Sequence, residues 1–283
     1  MTEEPMSIED QARAIFGQRA GLYVTSQTHA DPVILDRLVE LAQAQPEWRV
    51  LDVATGVGHT ALAFAPHVAE VVAIDLTPQM LAQAQKLAAR RGIENVHFQE
   101  ADVHELPFDD ENFDDEVFDL VTCRRAAHHF SDIRGALSEM VRVLRGPHPE
   151  QGRPGGLLLI DDRSIPEDDY VDSVMNRLDW LHDQSHVREY RPSQWRTMLE
   201  EADCQVLHVE TYTQHRPLSS LTDRVEPANA AKIYDILQGL PPEQREKLAL
   251  EEIDGELHSN HWYITVLARK GRTALQGTIA SEP

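Results

Sequence analysis

Short runs of aliphatic and β-branched residues alternate with segments of helical period along most of the chain, the pattern of a parallel sheet joined by crossover helices. Five runs read as core strands: 49–53 (RVLDV), 71–75 (VVAID), 96–99 (VHFQ), 119–123 (DLVTC) and 157–160 (LLLI). Each gives way to a polar or small residue where the carboxyl edge of a sheet meets a ligand. Between the second and third strands, Thr77 caps a helix and Pro78 suits its first position. Met80, Leu81, Ala84 and Leu87 keep its period, and Gly92 ends it. A further helix follows Ser131 or Asp132, with Ile133, Leu137, Met140, Val141 and Leu144 on one face. Helical patterns also occupy 8–17, 31–44 and 170–186; 192–195 open another helix, and strands are expected at 205–209 and 262–268.

This predicts an α/β fold with a doubly wound sheet. Residues 1–45 read as an amino-terminal helical cap segment, 46–270 as the α/β domain with a helical cap insert around 165–192, and 271–283 as a disordered tail. Two loops are enlarged: 109–119, with seven acidic residues in eleven, and 146–156, rich in Gly, Pro and His. Both read as solvated surface.

Composition narrows the partners. A formal net charge of -22 over 283 residues repels a polyanion, so nucleic acid is not the expected substrate, and neutral or cationic small molecules are. No apolar run approaches a membrane span, and the acidic start is not a signal peptide, so a cytoplasmic protein is expected. Cys123 and Cys204, far apart, read as free thiols; they form no zinc pattern, and no metal is expected.

The most specific segment is LDVATGVGHTA at 51–61, which follows a strand and opens a helix. A glycine turn there lets backbone approach a ligand closely. Seventeen residues beyond Gly58, Asp75 ends the next strand, where a carboxylate can accept from both hydroxyls of a ribose. Gly56, Gly58 and Ala61 also fit a dinucleotide fingerprint, so an NAD-dependent oxidoreductase stays in play. Against it, Asp52 puts an acid before the turn, where a pyrophosphate is repelled and a cationic amino-acid end is welcome. Ala101, Asp102 and Val103 follow the third strand and offer a carboxylate near an adenine edge. The fourth strand falls at the right distance.

On LDVATGVGHTA, VVAIDLTPQML, ENVHFQEADVHELPF and FDLVTCRRAAHHFSD, the run from 50 to about 159 resembles the class I S-adenosylmethionine-dependent methyltransferases. Within them it is similar to the small-molecule group that includes ubiquinone/menaquinone C-methyltransferases. The likeness continues more weakly through DWLHDQSHVREY. It implies a seven-stranded, mostly parallel Rossmann-like sheet, S-adenosyl-L-methionine as donor and S-adenosyl-L-homocysteine as product. Carried over to matching positions, Asp52, Ala54, Gly56 and Gly58 hold the methionine portion. Asp75 binds ribose, and Leu76 and Met80 pack around adenine. Asp102 accepts from the adenine amino group and the Val103 backbone meets the ring edge. Cys123 and Arg124 border the methionine end through backbone atoms; Tyr23, Thr55 and Ala101 complete the set. The family's commonest motif has Gly where Ala54 stands, a departure that bears on the local backbone angle. Other readings stay open beside these: Asp75 as a helix cap, Met80 as core, Asp102 as a turn residue.

Methyl transfer from a sulfonium is an in-line displacement at an activated carbon, so alignment and water exclusion do most of the work, and a base is needed only where the acceptor must lose a proton. Arg124, Arg125, His128 and His129 are the candidates, with at most one of the adjacent histidines facing the pocket. The acceptor pocket is expected between Phe16, Tyr23 and His29 on one side and Asp161, Arg163, Trp180, His182, His186 and Tyr190 on the other. Aromatics concentrated in a cap suggest an aromatic or planar acceptor; equally, Trp180 and Tyr190 anchor the cap, and Asp183, His186 and Arg188 are solvated. The expected function is methylation of a small molecule, at carbon or oxygen first, by a monomer or homodimer with no nucleic-acid partner. The alternatives are the NAD-dependent oxidoreductase and a non-catalytic S-adenosylmethionine-binding protein.

Overall fold

A computed structural model describes residues 6–26, 28–108 and 118–271. Most of the acidic loop at 109–119 and all but Gly271 of the tail at 271–283 lie outside the described residues. In chain order come α1 Ile8–Tyr23, α2 Pro32–Ala42, β1 Arg49–Val53, α3 His59–Phe64, β2 Glu70–Asp75, α4 Pro78–Arg91, β3 Val96–Glu100 and β4 Leu120–Arg124. Then follow α5 Ile133–Arg142, β5 Leu157–Ser164, α6 Asp169–His182, α7 Pro192–Glu201, β6 Cys204–Pro217, α8 Ser219–Thr222, α9 Pro227–Gln238, α10 Pro242–Lys247, β7 Glu251–Ile253 and β8 Glu256–Lys270.

The strands form one sheet in the order β3-β2-β1-β4-β5-β8-β6, with the short β7 paired off that path to β8. β1 to β5 are mutually parallel, and β8 runs antiparallel to β5, β6 and β7. Strand order reverses between β1 and β4, and in such sheets the crevice at that reversal receives the ligand. Alternate residues of each strand serve opposite faces. Leu51, Val53, Val121, Leu158 and Ile160 pack against α5 and α7, where Leu137, Met140 and Trp195 are fully enclosed. Val50, Val71, Leu120 and Leu159 pack against α2 and α3 through Leu38, Ala61 and Phe64. Each such side chain contributes about 1.5–3 kcal/mol of burial.

The structure departs from the sequence expectation in three places, and α6 ends at His182, short of the expected 186. α1 continues through Gly17 and Gly21 to Tyr23, because α4 packs close enough that a side chain on Gly17 would meet Gln79 at 3.1 Å. β6 and β8 form a long antiparallel ribbon of 14 and 15 residues. On β6 polar and apolar residues alternate along a half-solvated surface, which dilutes the hydrophobic run. Finally, α6 does not cap the sheet by itself. Val171, Met175 and Leu178 share a separate apolar cluster with Leu221 of α8 and Ile233 and Leu237 of α9. Among the described residues, no helix is long and apolar enough to cross a membrane, and Cys123 and Cys204 are both free and buried.

Candidate active site

The turn after β1 is shaped by one buried carboxylate. Asp52 Oδ1 accepts from Thr122 Oγ1 of β4 at 2.6 Å, while Oδ2 accepts from Thr55 Oγ1 at 2.5 Å and from the Ala61 amide at 3.1 Å. Burial pushes this carboxyl up to about 6 against those hydrogen bonds. Asp52 therefore clamps β1, the turn, α3 and β4 together while lining the cavity above them. Within the turn Ala54 adopts φ +50, so the position where the family has glycine does use the left-handed region, at a cost of about 1–2 kcal/mol. Gly56 and Gly58 sit at φ +57 and +87.

Asp75, at the end of β2, accepts from the Gly56 amide at 2.7 Å and the Thr77 amide at 2.8 Å. It thus braces the glycine turn against the residue that precedes α4, while Thr77, not Asp75, occupies the cap position of that helix. Burial raises its carboxyl above the usual range. Asp102 accepts at Oδ1 from the amide and Nδ1 of His104, so it is a turn residue as well, and no described residue bonds its Oδ2.

These carboxylates face one cavity of about 1050 Å³, open to solvent. Of the predicted donor-site residues, Tyr23, Asp52, Ala54, Thr55, Gly56, Asp75, Leu76, Met80, Ala101, Asp102, Val103 and Arg124 line it. Gly58 and Cys123 do not. Gly58 faces α4 and β3, where a Cβ would stand 3.2 Å from that of Ala84, and the Cys123 side chain is in the core below the sheet edge. Met80, only 4% exposed, is at once core and cavity wall.

A second, smaller cavity of about 710 Å³ adjoins the first. Phe16, Tyr23, His29, Arg125 and His129 line both. Phe16, Tyr23 and His29 form an aromatic roof, the Tyr23 ring standing 6.0 Å from Phe16 and 4.9 Å from His29, and the His129 ring stands 5.0 Å from Phe16. The adjacent histidines stay close, with ring centroids 4.2 Å apart, and both line the second cavity, against the expectation that at most one would face the pocket. His128 lines only the second cavity, with its Nδ1 2.6 Å from Asp162 Oδ1 and its amide donating to Oδ2. Burial holds its ring well below the usual histidine range, so it is neutral. His129 lies at the junction, its Nδ1 3.1 Å from the carbonyl of Ser185. A carbonyl only accepts, so that bond takes a proton on Nδ1, and Nε2 is the acceptor of the neutral ring. The Ser185 hydroxyl donates in turn to Asp183 at 2.7 Å.

The remaining walls of the second cavity are predominantly polar: Arg163, Asp179, His182, Asp183, His186, Glu189 and Arg216, with the ring of Tyr263. Arg163 bridges Asp179, at 2.7 Å, and Glu189. Burial works against Asp179, yet Arg163 beside it holds that carboxyl below its usual range, while Glu189 is driven up by burial. Arg125 donates to Asp161 and to the Tyr212 hydroxyl and stacks 3.7 Å above Tyr263. Asp183 and His186 are buried rather than solvated, and Arg188 is tied to Asp172. Two of the expected aromatic groups are elsewhere: Trp180 is 47% exposed on the outer surface, and Tyr190 packs edge-on against Trp195. Asp161 lies beneath the cavity, held by Tyr212 and Thr265. Of the expected acceptor-pocket residues, Phe16, Tyr23, His29, Arg163, His182 and His186 do line this cavity, so rings and charged groups share its walls. Sequence reading passed over His59, Thr122, Asp162, Glu189 and Arg216. Asp162 alone carried a local signal, as the second acid of a strand end.

The family described as methyltransferase domain matches residues 50–146. The uncharacterized methyltransferase YcgJ of Bacillus subtilis (strain 168) is 41% identical over 183 residues, 65% of this chain and 67% of the relative. Its crystal structure superposes with a TM-score of 0.75 at 32% identity, covering 84% of this chain and 98% of that one. The demethylmenaquinone methyltransferase of Thermus thermophilus is 41% identical over 126 residues, 44% of this chain and 51% of the relative.

Proposed function

The chain belongs to the methyltransferase-domain family, and from that premise we propose that it transfers a methyl group from S-adenosylmethionine to a small, polar acceptor held in the second cavity. The observation that carries the reading is the shared wall: His129 and the aromatic roof border both cavities, so donor and acceptor meet at one junction.

The residues present fit the donor. Asp75 faces the larger cavity from the end of β2, where a ribose diol would be received, and Asp102 offers an unengaged carboxylate oxygen to an adenine amino group. Val103, Leu76 and Met80 supply apolar walls for the base. When bound, the donor supplies a methyl group already activated on a sulfonium. The protein aligns the acceptor and keeps water out through Phe16, Tyr23 and His29. For an acceptor that must lose a proton, His129 Nε2 takes it, with Ser185 and Asp183 holding the ring. A hydroxyl or an activated carbon acid fits that chemistry, which favours O- or C-methylation.

The charged walls argue for a hydrophilic acceptor and against a long prenyl chain in the second cavity. Thermal denaturation with S-adenosylhomocysteine or NAD tests the donor reading. At about 100 times its dissociation constant the true ligand adds about 2.7 kcal/mol of stability. A shift with NAD and none with S-adenosylhomocysteine would overturn the proposal.

A further inference from the structure

A third cavity, of about 1280 Å³ and open to solvent, adjoins the second; Thr28, His29, Arg163, Asp179, His182 and Arg216 border both. Ser219, Ser220, Arg224 and His261 replace Phe16, His128 and His129 in its walls, so it extends the acceptor side toward α8 and the loop that follows it.

Among the described residues, the ion pairs of these two cavities leave one half-buried arginine over. Arg163 meets Asp179 at 2.7 Å and also Glu189. Those two carboxyls hydrogen-bond each other, with Glu189 driven up by burial. They therefore hold one proton between them, and Arg163 balances the remaining charge. Asp183 is met by Arg19 at 3.5 Å, and Arg125 by Asp161 at 3.2 Å. Arg216, half-buried on β6, forms no ion pair among the described residues; it reaches the Tyr263 hydroxyl at 3.4 Å, a long contact. At the rim of the third cavity Arg224 is exposed and, among the described residues, likewise without an ion pair. The exposed Asp223 beside it is the one acid of these walls left unpaired among them.

Resting on the acceptor reading above, we infer that the acceptor is an acid, and that Arg216 receives its carboxylate or phosphate group while the atom to be methylated faces His129. Both residues line the second cavity, so one small molecule can touch both. A guanidinium presents a planar fork of donors that matches either anion, and the hydroxyls of Thr28, Ser219 and Ser220 add neutral donors in the walls of the third cavity. The net charge of -22 set the expectation of a neutral or cationic partner. Charges farther than about 10 Å are largely screened at 0.1 M salt, however, and within this cleft the nearby arginines outweigh them. Arg224 at the rim adds to the field that draws an anion inward.

The test is thermal denaturation of the full chain at constant ionic strength, with and without S-adenosylhomocysteine. It is titrated with inorganic phosphate, with malonate and, as a neutral control, with malonamide. Wild type should be stabilised saturably by phosphate or malonate, with a dissociation constant of about 1–10 mM, and not by malonamide. The tighter of the two anions tells a phosphate acceptor from a carboxylate one. Arg216→Gln should raise that constant about tenfold or more and Arg216→Lys by less, while both keep the shift from S-adenosylhomocysteine. Arg196→Gln removes an exposed charge from α7 and should leave the anion response as it is in wild type. A wild type that responds to neither anion, or equally to malonamide, overturns the inference without any variant having to fold. An unchanged constant in Arg216→Gln, or an equal loss in Arg196→Gln, overturns it too. If S-adenosylhomocysteine gives wild type no shift, the donor reading falls and takes the acceptor assignment with it; a normal shift beside an absent anion response sinks this inference alone.

Discussion

Gly58 separates two explanations of a glycine-rich turn, one built on ligand contact and one on packing. It caps α3 at φ +87, does not line the larger cavity, and would put a Cβ 3.2 Å from Ala84 Cβ and 3.4 Å from the Phe98 ring. A left-handed backbone costs an L side chain about 1–2 kcal/mol, and overpacking adds about 1–3 kcal/mol. Gly58→Ala should therefore destabilise the fold by about 2–5 kcal/mol, lowering the urea midpoint by about 1 M or more. S-adenosylhomocysteine affinity, measured where the variant is still folded, should stay close to wild type. Gly56→Ala supplies the contrast. At φ +57 a Cβ there meets open space, its amide braces Asp75, and it lines the cavity. That variant should lose only about 1–2 kcal/mol of stability but bind the ligand more weakly. An unchanged midpoint for Gly58→Ala, or a loss of affinity in the folded variant, would refute the packing argument.

Asp75→Ala should lower S-adenosylhomocysteine affinity by about 10- to 100-fold in calorimetry, and unchanged affinity would remove its ribose role. His129→Gln should cut kcat by about 100-fold or more for an acceptor that must be deprotonated, with donor affinity retained; full turnover would dismiss it as base. His128→Gln should instead cost about 1–3 kcal/mol in urea unfolding, because Asp162 is left buried with an altered partner. Burial pushes His186 down to about 3. Its stability contribution is therefore complete above the unfolded value of about 6.5 and is lost as pH falls, about 2 kcal/mol by pH 5. Asp52 and Asp162, each raised by burial to about 6, run the other way, their contributions being lost as pH rises through 6. The fall in urea midpoint between pH 7 and pH 5 should accordingly be shallower in His186→Gln than in wild type, and an equal fall would refute the assignment.

The parallel core was legible because β1, β2, β4 and β5 are enclosed on both faces and read as unbroken apolar runs. The glycine turn and the two acids that end β1 and β2 were legible for a related reason, since local spacing alone places them at the sheet edge. The antiparallel ribbon was legible only at 205–209 and 262–268, because β6 alternates partly exposed residues along its length and β8 is continuously buried only over 263–268. The second cavity was hidden more deeply. His128 and Asp162 are 34 positions apart, and Arg163 meets Tyr263 only across the β5–β8 register, so only the pairing of β5 with β8 and the folding back of 183–189 brings these groups together. Trp180 misled because an aromatic residue on a helix carries no sign of which side it faces.

The two cavities draw their walls from different halves of the sheet. Those of the larger come mainly from the ends of β1, β2, β3 and β4, whereas Arg163, Arg216 and Tyr263 of the smaller stand on β5, β6 and β8. Replacements along the ribbon and its attached helices can thus retune which molecule is accepted while the reagent's berth stays as it was. Descendants of one ancestor could diversify their clientele by editing that flank alone.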